Sequence, residues 1–250
     1  MTGLEGKVAL VTGATRGLGF AIAQGLAAAG ATVVVSSRKH EACVAAAEAI
    51  ALATGGSAVP LALHVGQWDA IEPAVEQVYA DLGRLDIVVN NAGIAPLAPS
   101  LDSVSEALFD KTMDVNLKGP FRLMAVAGAR MAAAGGGSII NISSIGAVRP
   151  SPPEAMYAAS KNGLNALTLA FAQEYAPHVR VNCVMPGAFA TDMAQGWDEE
   201  FTGKVVDRLP AGRLGRPEEV VGMVVHLASD AAGYTTGAVI PVDGGRTAVY

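Results

Sequence analysis

Hydrophobic and polar positions define two kinds of segment along the chain. Short apolar runs rich in Val and Ile end in glycine or small polar residues, as in Lys7–Gly13 (KVALVTG) and Ala31–Ser37 (ATVVVSS). Between them, apolar residues recur at helical spacing, as in Gly19–Gly30 and His40–Gly55. The first kind predicts buried strands and the second predicts helices that cover them.

The same alternation continues to the end of the chain. Further strands are predicted at 58–65, 85–93, 137–143, 179–185 and 238–245, and further helices at 68–83, 103–134, 152–175 and 217–230. Apolar strands separated by helices indicate a parallel sheet with helices on both faces, because each crossover returns the chain to the same edge. The pattern predicts an α/β, doubly wound parallel sheet in a single domain over residues 1–250, with a looser stretch at about 188–215.

Composition narrows the class of partner. The net charge of -6 comes without acidic or basic blocks, which argues against nucleic acid or an anionic membrane surface. No apolar run approaches the ~20 residues needed to span a bilayer, and the first residues lack a signal pattern, so we expect a cytoplasmic protein. Cys43 and Cys183 match no metal-ligand spacing. We expect both to be reduced packing residues and predict no metal.

The first chemical motif is a glycine-rich turn, Thr12–Gly19 (TGATRGLG), between the first strand and the first helix. Gly13, Gly17 and Gly19 would let the backbone turn tightly and approach a pyrophosphate, while the helix N-terminus supplies amide donors. The spacing differs from the commoner G-x-G-x-x-G fingerprint. Its position between strand and helix nevertheless predicts a nucleotide site.

Several motifs together resemble the short-chain dehydrogenase/reductase family, and within it the branch of 3-oxoacyl-acyl-carrier-protein reductases. The family's T-G-x-x-x-G-x-G turn is followed in the family's order by N-N-A-G at 90–93, a serine in NISSI, Y-x-x-x-K at Tyr157 and Lys161, and P-G-x-x-x-T at 186–191. The resemblance spans essentially the whole chain. It implies a Rossmann-type domain, a nicotinamide cofactor and hydride transfer between a ketone and a secondary alcohol.

The resemblance also implies four catalytic residues: Asn116, Ser144, Tyr157 and Lys161. Tyr157 would donate a proton to the carbonyl oxygen in reduction and accept one in oxidation, while Lys161 would tune the tyrosine and bind the nicotinamide ribose. A free phenol titrates near ~10, and a neighbouring ammonium stabilises its anion. Upstream, Ser151 and Glu154 predict a capping box that starts the tyrosine helix.

Two of these assignments have alternatives. Ser143 and Ser144 both carry a hydroxyl; family spacing selects Ser144, and adjacent strand residues point to opposite faces, so only one can meet Tyr157. Asn116 would help to hold a water that links the lysine to solvent. Its alternative is a helix-interior asparagine that bonds to its own backbone.

The cofactor residues implied by the family motifs form a longer set: Gly13, Thr15, Arg16, Gly17, Leu18, Gly19, Ser37, Arg38, His64, Val65, Asn91, Ala92, Gly93, Tyr157, Lys161, Pro186, Gly187 and Thr191. His64 stands where members often carry an Asp close to the adenine. A neutral imidazole could exchange a hydrogen bond with the adenine amino group. Equally, His64 could be a passive residue at the strand end, with the Val65 backbone supplying the contact.

The substrate is less constrained by the sequence. The stretch at 188–215 has the place of the family's variable substrate loop, and its apolar residues could face a substrate or pack the loop down: Phe189, Met193, Trp197 and Phe201. A second set could add apolar wall: Ile94, Ile145, Val148 and Met156. A medium-sized hydrophobic ketone or secondary alcohol is therefore favoured over a sugar.

Three other functions were weighed against a ketone reductase. Reduction of 3-oxoacyl groups on an acidic acyl carrier protein stays as the alternative, although Arg130, His178 and Arg180 offer only a thin basic surface for it. A non-catalytic nucleotide-binding regulator is the alternative from a different class. A hydrolase is disfavoured because no G-x-S-x-G elbow surrounds Ser143 or Ser144.

The resemblance further implies a homotetramer. Related proteins commonly pair the long central helix and the tyrosine helix across one interface, and the final helix and strand across another. Small residues at 124–134 and 158–172 permit close helix approach in this chain.

The second strand predicts that the preferred cofactor is NADP(H). Ser37 stands where an acidic residue would repel a 2′-phosphate, and Arg38 and Arg16 can pair with that phosphate. Charge-assisted hydrogen bonds contribute roughly 1.5–3 kcal/mol, so Arg38→Ala should weaken NADPH use by about 10- to 150-fold. NADH use should barely change. Steady-state kinetics with both cofactors test this; equal loss with both, or a wild type that uses both cofactors, contradicts it.

Overall fold

The computed structural model describes residues 3–191 and 197–249. Within them lies one parallel sheet of seven strands in the order β3-β2-β1-β4-β5-β6-β7. The strands are β1 (Val8–Thr12), β2 (Thr32–Ser37), β3 (Ala58–Ala62), β4 (Ile87–Asn90), β5 (Gly137–Ile142), β6 (Val179–Pro186) and β7 (Val239–Val242). The helices are α1 (Gly17–Ala28), α2 (His40–Thr54), α3 (Trp68–Leu82), α4 (Glu106–Met113), α5 (Gly119–Ala133), α6 (Ala155–Glu174), α7 (Glu199–Val206) and α8 (Val221–Ala228). The predicted doubly wound parallel sheet is confirmed.

The helices cover the sheet in two layers. Alternate residues of each strand point to opposite faces, so Val33 and Val35 belong to the core cluster that includes α1, α2 and α8, whereas Val34 belongs to the cluster that includes α3, α5 and α6. Both core clusters consist mainly of aliphatic side chains and alanine. The near-continuous apolar strands in the sequence follow from this burial on both sides.

The strand order reverses between β1 and β4. The chain moves outward from β1 to β3, returns to β4 beside β1, and then moves outward to β7. All pairings in this sheet are parallel, so the carboxyl ends of the strands share one edge. A crevice outside those ends, at the reversal, is where such sheets bind ligands.

The central helical region is divided. A continuous helix is predicted over 103–134, but α4 and α5 are joined by a π-helical turn, Asp114–Lys118, in which the Gly119 amide bonds to the Asp114 carbonyl. A π-turn inserts one residue into the helix and therefore rotates the side chains that follow. This turn carries Asn116, which is fully buried.

The predicted capping box at the start of the tyrosine helix is wrong. The Ser151 hydroxyl bonds to the Glu154 carboxylate at 3.0 Å, and the Glu154 amide bonds to the Ser151 carbonyl at 3.0 Å. The segment Pro152–Glu154 forms a short 3-10 turn, and α6 begins only at Ala155. The looser stretch predicted at 188–215 also contains a helix, α7, whose N-cap Asp198 accepts from the Phe201 amide.

Three further observations concern the composition-based expectations. Cys43 and Cys183 are both buried and neither forms a disulfide, as predicted for packing residues. Across residues 3–191 and 197–249, the helices include none with the length and apolar character required to traverse a bilayer. Met193, one of the predicted loop residues, lies outside the described residues.

Candidate active site

The glycine turn after β1 requires its glycines for steric reasons. Gly13 has φ +65°, and a Cβ there would lie 2.9 Å from the Ala92 Cα. A Cβ on Gly19 would collide with the Gly13 carbonyl and the Asn91 amide. These contacts bring the start of α1 directly beside the segment after β4. The first amides of a helix have no partner within the helix, so this turn is suited to cradle a pyrophosphate.

The turn is fastened by a hydroxyl and an amide side chain. Thr12 Oγ1 donates to the Val89 carbonyl at 3.2 Å and accepts from the amides of Asn91 and Ala92 at 3.0 and 3.1 Å. In return, Asn91 Nδ2 donates to the Thr12 and Gly13 carbonyls at 2.9 and 3.2 Å. Asn91 therefore holds the backbone of the cradle in addition to bordering the crevice.

Ser144 meets Tyr157, and Ser143 faces away from it. Ser144 Oγ accepts from the Gly146 amide at 3.0 Å, and a Cβ on Gly146 would lie 3.4 Å from Ser144 Oγ and 3.5 Å from the Tyr157 ring, so the two side chains adjoin the same glycine. The Ser143 hydroxyl instead donates to the Lys161 carbonyl at 3.1 Å. Adjacent residues at the end of β5 thus diverge as expected for a strand, and the serine selected by family spacing is the one beside the tyrosine.

Lys161 lies four residues after Tyr157 on α6 and is buried. Its Nζ donates to the Ile142 carbonyl at 2.7 Å and lies 5.9 Å from the centroid of the Tyr157 ring. A Cβ on Gly93 would lie 3.5 Å from this Nζ. The ammonium is therefore within reach of both the tyrosine and the edge of the nucleotide crevice.

Asn116 does not bond to its own backbone, which excludes that alternative. Its Oδ1 accepts from the Ile94 amide at 2.9 Å, and its Nδ2 donates to the Ile94 carbonyl at 2.8 Å and to Ser160 Oγ at 3.1 Å. Ser160 in turn donates to the Tyr157 carbonyl at 2.6 Å. Asn116 thus joins the segment after β4 to the helix that carries the tyrosine.

The electrostatics differ from the sequence-based expectation that the ammonium dominates the phenol. Burial raises the pKa of Tyr157, and the hydrogen bond from Ser144 only partly opposes that increase. Burial also lowers the pKa of Lys161 to about 8. At neutral pH the phenol is protonated and the amine is mostly charged, which is the state required to donate a proton to a carbonyl oxygen.

His64 is predicted either to contact the adenine or to be a passive residue at the strand end. Its Nδ1 accepts from the Gly66 amide at 3.1 Å, so a neutral ring carries its proton on Nε2. Nε2–H is a donor and the adenine amino group is also a donor. The contact between His64 and the adenine stays a prediction, as does the alternative of a passive residue at the strand end.

The remaining cofactor candidates lie at or after the carboxyl ends of β1, β2, β3 and β6. Ser37 is half-buried at the end of β2, followed by the exposed Arg38, and Arg16 is exposed at the start of α1. Thr15 and Leu18 are half-buried in the turn, and Val65 is buried with its carbonyl against Gly119. The Gly187 amide, after Pro186, bonds to the Val242 carbonyl at 3.0 Å, and Thr191 lies beside Gly17.

The described part of the substrate loop shows mixed roles for its apolar residues. Phe189 is buried in the core, and its neighbours pair with Gly215, so it packs the loop down. Trp197 and Phe201 contact each other edge-to-face at 5.1 Å, with Phe201 about half exposed. Met156 is buried against Thr112, whereas Val148 is exposed beside the Ser144 turn.

Sequence reasoning missed two groups that hold the site together. The sequence shows Thr12 only as part of the glycine motif and Ser160 only as part of the tyrosine helix. In the structure, each hydroxyl makes hydrogen bonds that position other site residues. A small polar residue three positions after Tyr157 is the signal that could have pointed to Ser160. Its partner, Asn116, could not be predicted from sequence spacing, because the π-turn sets the direction of that side chain.

Comparison with known proteins places this fold and site in a family. A family model described as enoyl-(acyl carrier protein) reductase matches residues 13–247. A 3-oxoacyl-[acyl-carrier-protein] reductase of Thermotoga maritima is 39% identical over 246 residues, which cover 97% of this chain and 98% of that protein.

Two solved structures show the same architecture. A short-chain type dehydrogenase/reductase from Mycobacterium marinum matches with a TM-score of 0.92 at 36% identity. The match covers 98% of this chain and 97% of that protein. A gluconate 5-dehydrogenase from Burkholderia cenocepacia, in complex with NADP and tartrate, has a TM-score of 0.95 at 34% identity, with coverage of 100% and 98%.

The chain belongs to the short-chain dehydrogenase/reductase family. It is an oxidoreductase that interconverts a carbonyl group and an alcohol with a nicotinamide cofactor.

The buried lysine generates a prediction about stability. Its pKa is about 8 in the folded protein and 10.5 in the reference state, so between these values the unfolded chain binds more protons and stability from this group rises with pH. The unfolding free energy of wild type should therefore gain on that of Lys161→Met as the pH rises through this window. At about 1.4 kcal/mol per pKa unit, the gain reaches up to about 3 kcal/mol.

Urea denaturation of both proteins across this pH range measures the gain. Lys39→Met, at an exposed lysine, controls for the loss of one positive charge. A difference between wild type and Lys161→Met that stays constant with pH would contradict the prediction.

Proposed function

We propose that this chain is an NADP(H)-dependent reductase of a medium-sized hydrophobic ketone, working reversibly, with Asn116, Ser144, Tyr157 and Lys161 as its catalytic residues. The observation that carries the proposal is that Ser144 and Tyr157 both adjoin Gly146, with the Lys161 ammonium beside Gly93 at the edge of the glycine cradle. Proton donor, oxygen-binding hydroxyl and nucleotide crevice meet at one place.

Each side chain has a distinct task in this scheme. The Ser144 and Tyr157 hydroxyls hold the carbonyl oxygen, and Tyr157 delivers a proton to it as charge develops. The nicotinamide, when bound, supplies the hydride in reduction and accepts it in oxidation. Lys161 attracts the phenolate that remains and binds the nicotinamide ribose, while Asn116 helps to hold the water that restores the proton.

The protonation states support reduction at neutral pH. Burial keeps the pKa of Tyr157 above that of a free phenol, so the hydroxyl carries the proton that a ketone must receive. Oxidation requires the same group to accept a proton, which its raised pKa also permits once the phenolate has formed. The two directions therefore differ in which form of Tyr157 begins the reaction.

The preference for NADP(H) over NAD(H) is supported by the residues at the end of β2. Ser37 is followed by the exposed Arg38, and the exposed Arg16 lies in the glycine turn after the neighbouring strand β1. No acidic side chain occupies positions 37–39 to repel a 2′-phosphate. The gluconate 5-dehydrogenase of similar fold is a complex with NADP.

Reduction of 3-oxoacyl groups on acyl carrier protein is the second candidate. Similarity to the Thermotoga reductase favours it. The basic surface does not, because Arg180 donates to the Ser229 carbonyl at 3.1 Å and is half-buried, which leaves Arg130 and His178 as exposed groups in that area. Values of kcat/KM over aliphatic, aromatic, cyclic and 3-oxoacyl substrates, with both cofactors, separate the two candidates from each other and from a non-catalytic regulator.

We expect Tyr157→Phe to retain cofactor affinity and lose most turnover, because the glycine cradle is untouched while the proton donor is removed. General acid–base contributions set the scale of the loss at about 10²–10⁴-fold in kcat. Ser144→Ala should also lower kcat. Ser143→Ala, which removes the neighbouring hydroxyl that faces Lys161, is the matched control and should be milder. A Ser143 variant more damaging than the Ser144 variant would refute the assignment.

The assembly proposed is a homotetramer of single-domain subunits, each with residues 188–215 as its substrate loop, in the cytoplasm. An apolar groove on α5 and α6, lined by Leu117, Phe121, Gly163 and Leu167, supports close helix pairing, and Phe121 is 40% exposed at its edge. A Cβ on Gly163 would lie 3.0 Å from the Leu117 side chain, so this glycine lets Leu117 pack close to α6 within the groove.

Light scattering at micromolar concentration should report four times the chain mass. Phe121→Glu would place a charge in the groove and should shift the mass to a smaller species. Phe201→Glu, which changes an exposed aromatic residue of α7 outside the groove, is the control and should leave the mass unchanged. A stable wild-type monomer contradicts the proposal.

A further inference from the structure

A chain of buried side-chain hydrogen bonds lies beneath the site and has no role in the reaction described above. Asn90 Nδ2 donates to Asn141 Oδ1 at 2.8 Å, and Asn141 Nδ2 donates to Thr168 Oγ1 at 2.9 Å. The Thr168 hydroxyl donates to the Leu164 carbonyl at 2.9 Å. Asn90, Asn141 and Thr168 are at most 2% exposed, so these bonds are made without competition from water.

These hydrogen bonds connect the three elements that carry the site. Asn90 ends β4, immediately before the segment that borders the glycine cradle. Asn141 lies in β5, three residues before Ser144. Thr168 lies on α6, seven residues after Lys161 and eleven after Tyr157.

Asn141 is also the first of four consecutive residues that bind α6. The Ile142 carbonyl accepts from Lys161 Nζ, the Ser143 hydroxyl donates to the Lys161 carbonyl, and Ser144 lies beside Tyr157 at Gly146. Of these four contacts, the one from Asn141 involves no residue proposed to take part in the reaction. It reaches two turns further along the helix.

We propose that Asn141 and Thr168 are positioning residues that set where α6 lies along β5, and thereby place Tyr157 and Lys161 against Ser144. The inference rests on the proposed function, because it concerns how the proposed catalytic side chains are held. The apolar contacts between a helix and a sheet have no preferred direction, so they select its position less sharply than hydrogen bonds do. A buried donor and acceptor are satisfied in only one position of the helix, since moving apart would leave polar groups unpaired at a cost of about 1–3 kcal/mol.

The apolar contacts of α6 alone do not select that position. Leu164 and Phe171 pack into the same core cluster as β5, and such contacts are non-directional. Misplacement of reacting groups by about 1 Å can lower a rate by about 10²-fold. A hydrogen bond at one end of the helix can therefore control catalysis at the other while leaving the fold intact.

The test replaces Thr168 with Val, which has nearly the same shape but lacks the hydroxyl. We expect kcat to fall by about tenfold or more on the ketone that wild type reduces best, with the KM for NADPH within about twofold of wild type. Thr168→Ser, which keeps the hydroxyl, should restore most of kcat. If the second methyl of Val prevents folding, Thr168→Ala serves in its place, because a smaller side chain cannot overpack the site.

A matched control separates positioning from lost stability. Asn182 is another fully buried asparagine on the neighbouring strand β6, but its amide binds the Thr235 carbonyl at 2.8 Å and the Ala238 amide at 3.1 Å, on the β7 side of the sheet. Asn141→Leu and Asn182→Leu should both lower the melting temperature. Only Asn141→Leu should lower kcat of the folded enzyme.

The outcomes are distinguishable from failure of the proposed function. If Tyr157→Phe is inactive while Thr168→Val and Asn141→Leu keep wild-type kcat, the positioning proposal is overturned and the catalytic assignment stands. Loss of kcat in Asn182→Leu equal to that in Asn141→Leu also overturns it, because a general loss of stability would then explain both. A fully active Tyr157→Phe overturns the proposed function itself.

Discussion

The structure depends on how two neighbouring parallel strands end. β1 and β4 lie side by side where the strand order reverses, and the Thr12 hydroxyl accepts the amides of Asn91 and Ala92 while Asn91 returns bonds to the Thr12 and Gly13 carbonyls. These reciprocal bonds satisfy backbone groups that the sheet ladder no longer pairs. The glycine cradle, the crevice and the approach of Gly93 to Lys161 all follow from this junction.

Burial decides the chemistry at the other side of the crevice. Taking an ammonium out of water is costly, and Lys161 recovers part of that cost through one carbonyl, that of Ile142. The same burial raises the pKa of Tyr157 and lowers that of Lys161. A protonated phenol beside a positive charge is a proton donor whose anion is stabilised once formed. The site thus combines a strong tendency to hold its proton with a means of releasing it.

Helix α6 is held by polar contacts along its length. Ser160 connects it through Asn116 to the segment after β4, and Thr168 connects it through Asn141 to β5. The π-turn presents Asn116 inward at the required height. Aliphatic packing supplies most of the attraction between helix and sheet, but the polar contacts define a single arrangement. The site requires this because its side chains must lie within hydrogen-bond distance of one another.

The sequence by itself determined the seven strands and their parallel arrangement, because burial on both faces leaves an apolar run for each strand. It also determined the motif residues, because the family motifs have fixed spacing. Family spacing also selected Ser144 over Ser143. Only the tertiary structure decided that Ser151 does not cap α6, that Phe189 belongs to the core, and that Nδ1 of His64 accepts a hydrogen bond from the Gly66 amide. Those outcomes depend on partners distant in sequence or on backbone geometry that single residues do not encode. The pKa values of Tyr157 and Lys161 were decided in the same way, since desolvation is a property of everything packed around a group.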